Sequence, residues 1–168
     1  SINVPGVVSA MCESHKLFGR LPFSEVIAPA IRLAREGFSP HWHNLYAFGL
    51  LSDMLYKYDE LGRIFLPNGA MPIGDKAYPA LLKQADLADT MEYIGHEGSK
   101  GFYEGDIANL IVKDIQSHEG ILSREDFSTY KPFIWDKGLE VPYRNTIVRL
   151  PPHATAGITT AMTLKLMD

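Results

Sequence analysis

Apolar residues recur at helical spacing along much of the chain. Val7, Met11 and Leu17 lie on one face of a predicted first helix, which ends at Gly19. Ser24 is a good N-cap residue for a second helix in the segment "EVIAPAIRLAREG". The pattern therefore predicts two amphipathic helices at the start of the chain.

The segment "LYAFGLLSDMLYKYDEL" after Asn44 is apolar almost all round, with a polar seam at Asp53, Lys57 and Glu60. A helix with this pattern is typical of a buried position, so we predict one helix that is mostly buried. The next segment, "PNGAMPIGDKAYP", combines proline and glycine with polar residues and predicts an irregular surface excursion.

Two more amphipathic helices and a short one are predicted in the second half of the chain. The apolar positions are Leu87, Met91 and Ile94 in one helix and Ile107, Ile111 and Ile115 in the next. Gly98 and Gly120 are the predicted stops, and "KGFYEGD" is a predicted turn between the two helices. The sequence "SRED" at 123–126 is a capping-box pattern, so a short helix is predicted to follow it.

After Pro132 the pattern changes from helical spacing to alternation. The runs "FIWDKGLEV" and "NTIVRL" predict two strands around a turn near Pro142, and a last helix from about Thr155. The predicted fold class is α+β and predominantly helical, in a single piece: helical over 1–131, strands over 133–150 and a helix over 155–168. Two strands do not make an independently stable sheet, so their partners are expected outside this chain.

Composition and charge narrow the class of protein. The chain has 168 residues, 46% of them hydrophobic and 21% charged, which is the composition of a folded, water-soluble protein. The net charge of -4 is scattered and includes no basic stripe, so nucleic acid is excluded as an expected partner. No apolar run approaches the length of a membrane span, and the first residues lack the basic start of a signal peptide.

Three groups of side chains are weighed as chemical sites, and each has a structural alternative. Cys12 is the single cysteine and lies on the apolar side of its helix with His15 one turn away, which favours inert packing. His41 and His43 have a spacing that can meet a metal in extended backbone, but no third ligand is suggested, which favours a wet loop anchored by Trp42.

The third group is Glu119, Glu125 and Asp126 beside His118. A helix end and a capping box account for these residues better than an acid and base pair does. No metal site, cofactor or catalytic residue is therefore assigned within the chain.

The segment "LPPHATAG" at 150–157 joins the last strand to the last helix. A helix that begins here exposes unpaired N–H groups, and its small residues allow an anion or a backbone to approach closely. His153, Thr155 and Gly157 are therefore candidate residues of a ligand-facing wall. The alternative is an ordinary turn in which Thr155 is the N-cap.

The order of motifs resembles the large subunit of the γ-glutamyltransferase (γ-glutamyltranspeptidase) family along the whole chain. The matching segments are "VPGVVSAM", "LPFSEVIAPAIRLAREGF", "IFLPNGAMPIGD", "QADLADTMEYIGHEGSKGFYEGDIANLIV", "GILSREDFSTYKP" and "YRNTIVRLPPHATAG". The resemblance implies part of an N-terminal-nucleophile (Ntn) hydrolase with an αββα fold, made as a precursor that cleaves itself. It also implies that strands of both subunits form the two central sheets.

In that family the new N-terminal threonine attacks a γ-glutamyl amide while its own α-amine acts as the base. The acyl-enzyme then passes to water or to an acceptor amine. The resemblance places the substrate-binding arginine before Ser1, and the self-cleavage site and the oxyanion-hole glycines after Asp168. Thr159 and Thr160 are not expected to be the nucleophile, because "ITT" lacks the following histidine and lies in a helical pattern.

The implied partners are the small subunit of the same precursor, a γ-glutamyl substrate, and water or an acceptor amine. The family's "PPPSSGG" is replaced here by Pro151 to Gly157, and its "YRG" ends here in Asn145. These departures indicate a divergent member whose substrate is open, and both an exported and a cytoplasmic location fit. The alternative to an enzyme segment is a non-catalytic, family-derived helical module that binds a protein partner.

Overall fold

The computed structural model describes residues 2–74, 80–152 and 155–168, and the chain forms two compact units, Ser1–Tyr130 and Lys131–Asp168. The helices of the first unit are α1 (Val7–Phe18), α2 (Phe23–Glu36), α3 (Trp42–Leu50), α4 (Ser52–Lys57), α5 (Asp59–Phe65), a 3-10 turn (Pro67–Gly69), α6 (Ala85–Tyr103), α7 (Asp106–Ser117) and α8 (Arg124–Ser128). The second unit contains β1 (Leu139–Tyr143), β2 (Thr146–Leu150) and α9 (Gly157–Leu166).

The first two helices lie where the apolar spacing predicts them, but the N-cap of α2 differs from the prediction. Pro22 is the N-cap, and its carbonyl oxygen accepts hydrogen bonds from the N–H groups of Glu25 and Val26. Ser24 lies inside the first turn, so the prediction that it caps the helix is wrong. The N-cap of α2 therefore lies two residues before the predicted one.

The helix α6 continues past its predicted stop. Gly98 has φ 66° and ψ -156°, a conformation open to glycine and strained for other residues, so it interrupts the helix. The backbone then returns to helix up to Tyr103, and the predicted turn is confined to Glu104 and Gly105. Phe102 and Tyr103 are buried, so apolar contact stabilises this extra turn of helix.

The core of the first unit lies where α6, α7 and α8 meet. Its buried members are Ile94, Phe102, Tyr103, Ala108, Val112, Leu122 and Phe127. The predicted isoleucine repeat of α7 packs against this cluster, and Phe127 of α8 is fully buried. The predictions of α7 and of the short helix after "SRED" are confirmed.

The predicted long, buried helix after Asn44 is wrong. The segment forms the three short helices α3, α4 and α5, which are separated at Leu51 and Tyr58 by non-helical backbone. Leu55 is buried, but Trp42, Tyr46 and Leu50 are 60% to 68% exposed. The apolar character that predicted burial is present, but the described residues of the first unit, 2–74 and 80–130, do not cover this side of α3.

The second unit is a hairpin with one helix. The strands β1 and β2 pair antiparallel around Arg144 and Asn145, so the predicted turn near Pro142 is wrong, and Pro142 lies within β1. The first strand begins at Leu139, later than the apolar run suggested, and α9 begins at Gly157. The prediction of a predominantly helical α+β chain with one strand pair is confirmed.

No helix in the described ranges combines the length and the apolar character that a membrane span requires.

Candidate functional site

The turn between β2 and α9 is organised by the hydroxyl group of Thr155. This hydroxyl donates to the carbonyl oxygen of Pro152 at 3.0 Å and accepts the N–H of Gly157 at 3.2 Å. The N-cap residue of α9 is Ala156. Thr155 is one residue before this N-cap, and its hydroxyl accepts an N–H of the first helical turn. His153 lies outside the described residues.

Gly157 is required where the turn closes. It is buried, and a Cβ atom at this position would overlap the carbonyl oxygen of Pro151. Any side chain would therefore displace the backbone between β2 and α9. Gly157 thus lies in close contact with the backbone of Pro151, and Thr155 is exposed.

The threonines of α9 are helical residues. The hydroxyl of Thr160 donates to the carbonyl oxygen of Ala156 at 2.8 Å, and that of Thr163 donates to the carbonyl oxygen of Thr159 at 2.9 Å. The Thr160 N–H also donates to the Ala156 carbonyl oxygen, so it belongs to the helical ladder. Thr159 and Thr160 therefore lie within a regular helix, as the helical pattern predicted.

His41 and His43 begin helix α3. The Nδ1 atom of His41 accepts the N–H of His43 at 3.5 Å, and the Oδ1 atom of Asn44 accepts the N–H of His41 at 3.1 Å. Trp42 is 67% exposed, so its predicted role as an anchor is wrong. Within the described residues, no group of three or more His, Cys, Asp or Glu side chains is placed to hold a metal ion.

Among the acidic residues after α7, Asp126 is part of the capping box of α8. Asp126 accepts hydrogen bonds from the N–H and the hydroxyl of Ser123 at 2.8 Å and 2.7 Å, and these bonds lower the pKa of its carboxyl group. The imidazole of His118 lies 2.9 Å from the carbonyl oxygen of Asp114. This geometry is that of a capping box and a helix end.

Cys12 is half-buried between helices. Burial raises the pKa of its thiol, which disfavours the reactive thiolate. The imidazole of His15 lies 2.7 Å from the carbonyl oxygen of Leu21, and so it is engaged away from the thiol. The structure therefore gives Cys12 a packing role.

A cleft between α2 and α6 was not predicted. It has a volume of about 300 Å³, and Ser24, Arg32 and His96 are among the residues that line it. Arg35 at its edge is paired with Asp89 and Glu92, each at 2.7 Å. The spacing of these acids along α6 is visible in the sequence, but their arginine partner lies 54 and 57 residues away from them, and no local pattern identifies it.

A contact at the start of α1 was also missed. The hydroxyl of Tyr103 accepts the N–H of Ser9 at 3.1 Å and donates to the carbonyl oxygen of Pro5 at 2.5 Å. The ring of Tyr103 stacks on Tyr130 with centroids 5.4 Å apart. Nothing near Ser9 in the sequence indicates that a side chain of α6 accepts the hydrogen bond from its N–H.

Comparison with known proteins gives one consistent family. The family model described as Gamma-glutamyltranspeptidase matches residues 1–168. The chain is 34% identical over 171 residues to the "Glutathione hydrolase proenzyme" of Pseudomonas aeruginosa, a match that covers 98% of this chain and 28% of that relative. The chain thus spans well under a third of the length of the curated relatives it matches.

Solved structures agree with this similarity. The transpeptidase enzyme CapD of Bacillus anthracis matches with a TM-score of 0.84 and 36% identity, over 98% of this chain and 55% of that chain. The gamma-glutamyltranspeptidase of Helicobacter pylori matches with a TM-score of 0.84 and 30% identity, over 98% of this chain and 46% of that chain. Both units of the chain are included in these matches.

Proposed function

Because the chain belongs to the gamma-glutamyltranspeptidase family of Ntn hydrolases, we propose that it is a segment of an amidohydrolase or acyltransferase that cleaves γ-glutamyl amides. The observation that carries the proposal is the match along residues 1–168, together with a TM-score of 0.84 to a transpeptidase. The relatives include proteins named as glutathione hydrolase proenzymes, which supports a γ-glutamyl amide as the substrate class.

The chemical step is assigned to an N-terminal threonine outside residues 1–168. A threonine hydroxyl is a weak nucleophile, and a free α-amine on the same residue supplies the base that activates it. The helical hydrogen bonds of Thr160 and Thr163 support the view that α9 does not supply this group. This chain contributes a helical layer and a strand pair around the site.

The turn after β2 is proposed as a wall of the substrate cleft, formed by His153, Thr155 and Gly157. We propose that the wall acts through its backbone and not through side-chain chemistry. Gly157 has no room for a side chain, and the hydroxyl of Thr155 is already hydrogen-bonded within the turn. The departures from the family's small-residue turn make this wall a proposed determinant of which amide is accepted.

The test is to express the longer precursor and follow its chemistry. We expect the precursor to mature into two chains, the second of which begins with threonine, and to release the aniline from a γ-glutamyl anilide. The acyl group passes to water or to an added dipeptide acceptor. A precursor that stays in one piece and turns over no γ-glutamyl or related amide would contradict the proposal.

The alternative is a non-catalytic helical module that binds a protein partner. This hypothesis requires that the natural polypeptide lacks the self-cleavage site. N-terminal sequencing of the native protein separates the two, because only the enzyme has an internal threonine as a new N-terminus.

A further inference from the structure

The cleft between α2 and α6 is formed by two antiparallel helices that approach each other closely. The N–H of Gln84, just before α6, donates to the carbonyl oxygen of Ala34 near the end of α2 at 2.8 Å. At the other end of the pair, a Cβ atom at Gly95 would lie 3.1 Å from a methyl group of Ile27 and 3.6 Å from the Cα atom of Ser24. The cavity beside these contacts, about 300 Å³, is at the lower end of the range for small-molecule sites.

The charges that line this cleft are balanced in number, but only half of them are paired. The lining includes two arginines, Arg32 and Arg35, and two glutamates, Glu36 and Glu92. Arg35 and Glu92 bind each other at 2.7 Å, and Asp89 binds the second terminal nitrogen of Arg35 at 2.7 Å. Among the described residues, the side chains of Arg32 and Glu36 have no ion pair or hydrogen bond. One cation and one anion of the cleft are therefore available to a ligand.

Two properties of α2 disfavour a direct pairing of Arg32 with Glu36. Glu36 is the last residue of the helix, where the partial negative charge of the helix C-terminus opposes a carboxylate. An arginine four residues before a glutamate is also the weaker order for an ion pair along a helix. A ligand with a single charge would satisfy one of these side chains and leave the other unpaired. A zwitterion satisfies both.

The rest of the lining indicates the shape of this zwitterion. Ala28 and Ile31 lie within one turn of Arg32 on α2 and give the cleft an apolar surface. Beyond them, the side chains of Ser24 and His96 have no hydrogen-bond partner among the described residues. The cleft thus has both free charges at one end and an apolar surface next to them. An α-amino acid has the same order, because its two charged groups share one carbon atom and its side chain extends away from them.

We propose that this cleft binds a small α-amino acid with an apolar side chain. The carboxylate lies on Arg32, whose planar guanidinium can donate two parallel hydrogen bonds to it, and the ammonium group lies on Glu36. The side chain of the ligand lies on Ala28 and Ile31. Binding here involves no chemical step, and so it holds whether or not the proposed function is right.

The first experiment is calorimetric titration of the chain 1–168, and of the longer precursor, with three matched probes. L-leucine carries both charges, 4-methylpentanoate lacks the ammonium group, and 3-methylbutylamine lacks the carboxylate. L-leucine is expected to bind at least about tenfold more tightly than either analogue, because each analogue leaves one charge of the cleft unpaired. Equal affinities for the three probes, or no binding of L-leucine, would overturn the proposal.

Variants of single charges test the assigned contacts. Arg32→Gln and Glu36→Gln are each expected to weaken the binding of L-leucine by about tenfold. Glu25→Gln is the matched control, since Glu25 is an exposed carboxylate on the same helix and outside the lining of the cleft. It is expected to change the affinity by less than about twofold. An equal loss in the control, or no loss in either cleft variant, would refute the contacts.

The imidazole signals of His96 in proton NMR report where the ligand binds. They are expected to shift on addition of L-leucine, while those of the exposed His118, at the end of α7, stay unchanged. Binding without a shift at His96, or binding to the chain 1–168 that is absent in the precursor, would contradict the proposal. A precursor that binds L-leucine in this way but cleaves no γ-glutamyl amide would support the cleft as a site and refute the proposed function.

Discussion

At the scale of single residues, the hydroxyl of Tyr103 does the work that a local N-cap usually does. Gly6 is the N-cap of α1 and has no side chain to accept a first-turn N–H, so the N–H of Ser9 bonds to Tyr103 instead. A Cβ atom at Gly6 would meet the hydroxyl of Tyr130. The start of α1 therefore depends on Tyr103, which is distant in sequence, and Gly6 leaves room for the Tyr130 hydroxyl.

Tyr103→Phe is expected to lower the free energy of unfolding by about 1 to 3 kcal/mol, because it leaves a buried N–H and a carbonyl oxygen without their shared partner. Urea denaturation of the chain 1–168 measures this change. Tyr130→Phe is the control, since no hydrogen bond to its hydroxyl is found among the described residues, and it is expected to cost less than about 0.5 kcal/mol. Equal losses in the two variants would refute the capping role.

At the scale of secondary-structure elements, glycines with different backbone conformations have opposite effects on their helices. Gly98 interrupts α6 with a positive φ, whereas Gly49 lies in α3 with open space where a Cβ atom would stand. The backbone conformation at Gly98 requires glycine. At Gly49 glycine only lowers the stability of the helix, because it loses more conformational entropy on folding than other residues do.

Gly98→Ala is expected to destabilise the chain by about 1 to 3 kcal/mol, because alanine is strained at this backbone conformation. Gly49→Ala is expected to stabilise it by up to about 1 kcal/mol through helix propensity. Thermal unfolding of both variants gives the sign of each change in stability. Stabilisation by Gly98→Ala would mean that α6 runs straight through this position.

The capping box of α8 predicts a dependence on pH. Ser123→Ala is expected to lower stability by about 1 kcal/mol at neutral pH. Since hydrogen bonds from Ser123 lower the pKa of Asp126, the stabilisation from its carboxylate is complete above the ordinary aspartate pKa of about 4 and is lost as the pH falls through the folded value. The stability difference between wild type and Asp126→Asn is therefore expected to shrink below about pH 4. A constant difference from pH 7 to pH 2.5 would argue against the carboxylate as the cap.

Elements were predictable where local pattern and packing agree. The isoleucine repeat of α7 and the box at Ser123 needed no distant partner to be recognised. The α3 to α5 segment was mispredicted because its apolar pattern implies a cover that the described residues of the first unit lack. The hairpin turn was misplaced because proline suggests a turn, while at a non-bonded edge position it is compatible with a strand.

At the scale of the whole molecule, the apolar surface of α3 is the largest departure from expectation. Trp42, Tyr46 and Leu50 follow one another at intervals of four residues along one side of the helix, and each is 60% to 68% exposed. An exposed apolar stripe of this kind promotes association in water.

Replacing these three residues with glutamine is expected to leave the chain folded and to reduce its concentration-dependent association. The helical signal in circular dichroism checks the fold, and light scattering over a range of concentrations checks the association. Glutamine at the buried Leu55 is the matched control and is expected to destabilise the chain by about 2 to 4 kcal/mol. Unchanged scattering from the triple variant would show that the stripe does not drive association.

The sequence alone predicted which segment of the chain holds the candidate site, but not its contacts. The turn before α9 was identified from its small residues, but the bonds of Thr155 and the close approach of Gly157 to Pro151 depend on three-dimensional geometry. The catalytic group was inferred from family resemblance, because no pattern in the sequence predicted a catalytic constellation.

The link between Ser9 and Tyr103 also constrains the order in which the molecule can be made. The ribosome adds Ser9 to the growing chain 94 residues before Tyr103. During that interval the start of α1 has no protein acceptor for this N–H, and water must serve in its place. Translation thus reaches the end of α6 before the first helix is complete, and a nascent chain cut short before Tyr103 retains a frayed beginning.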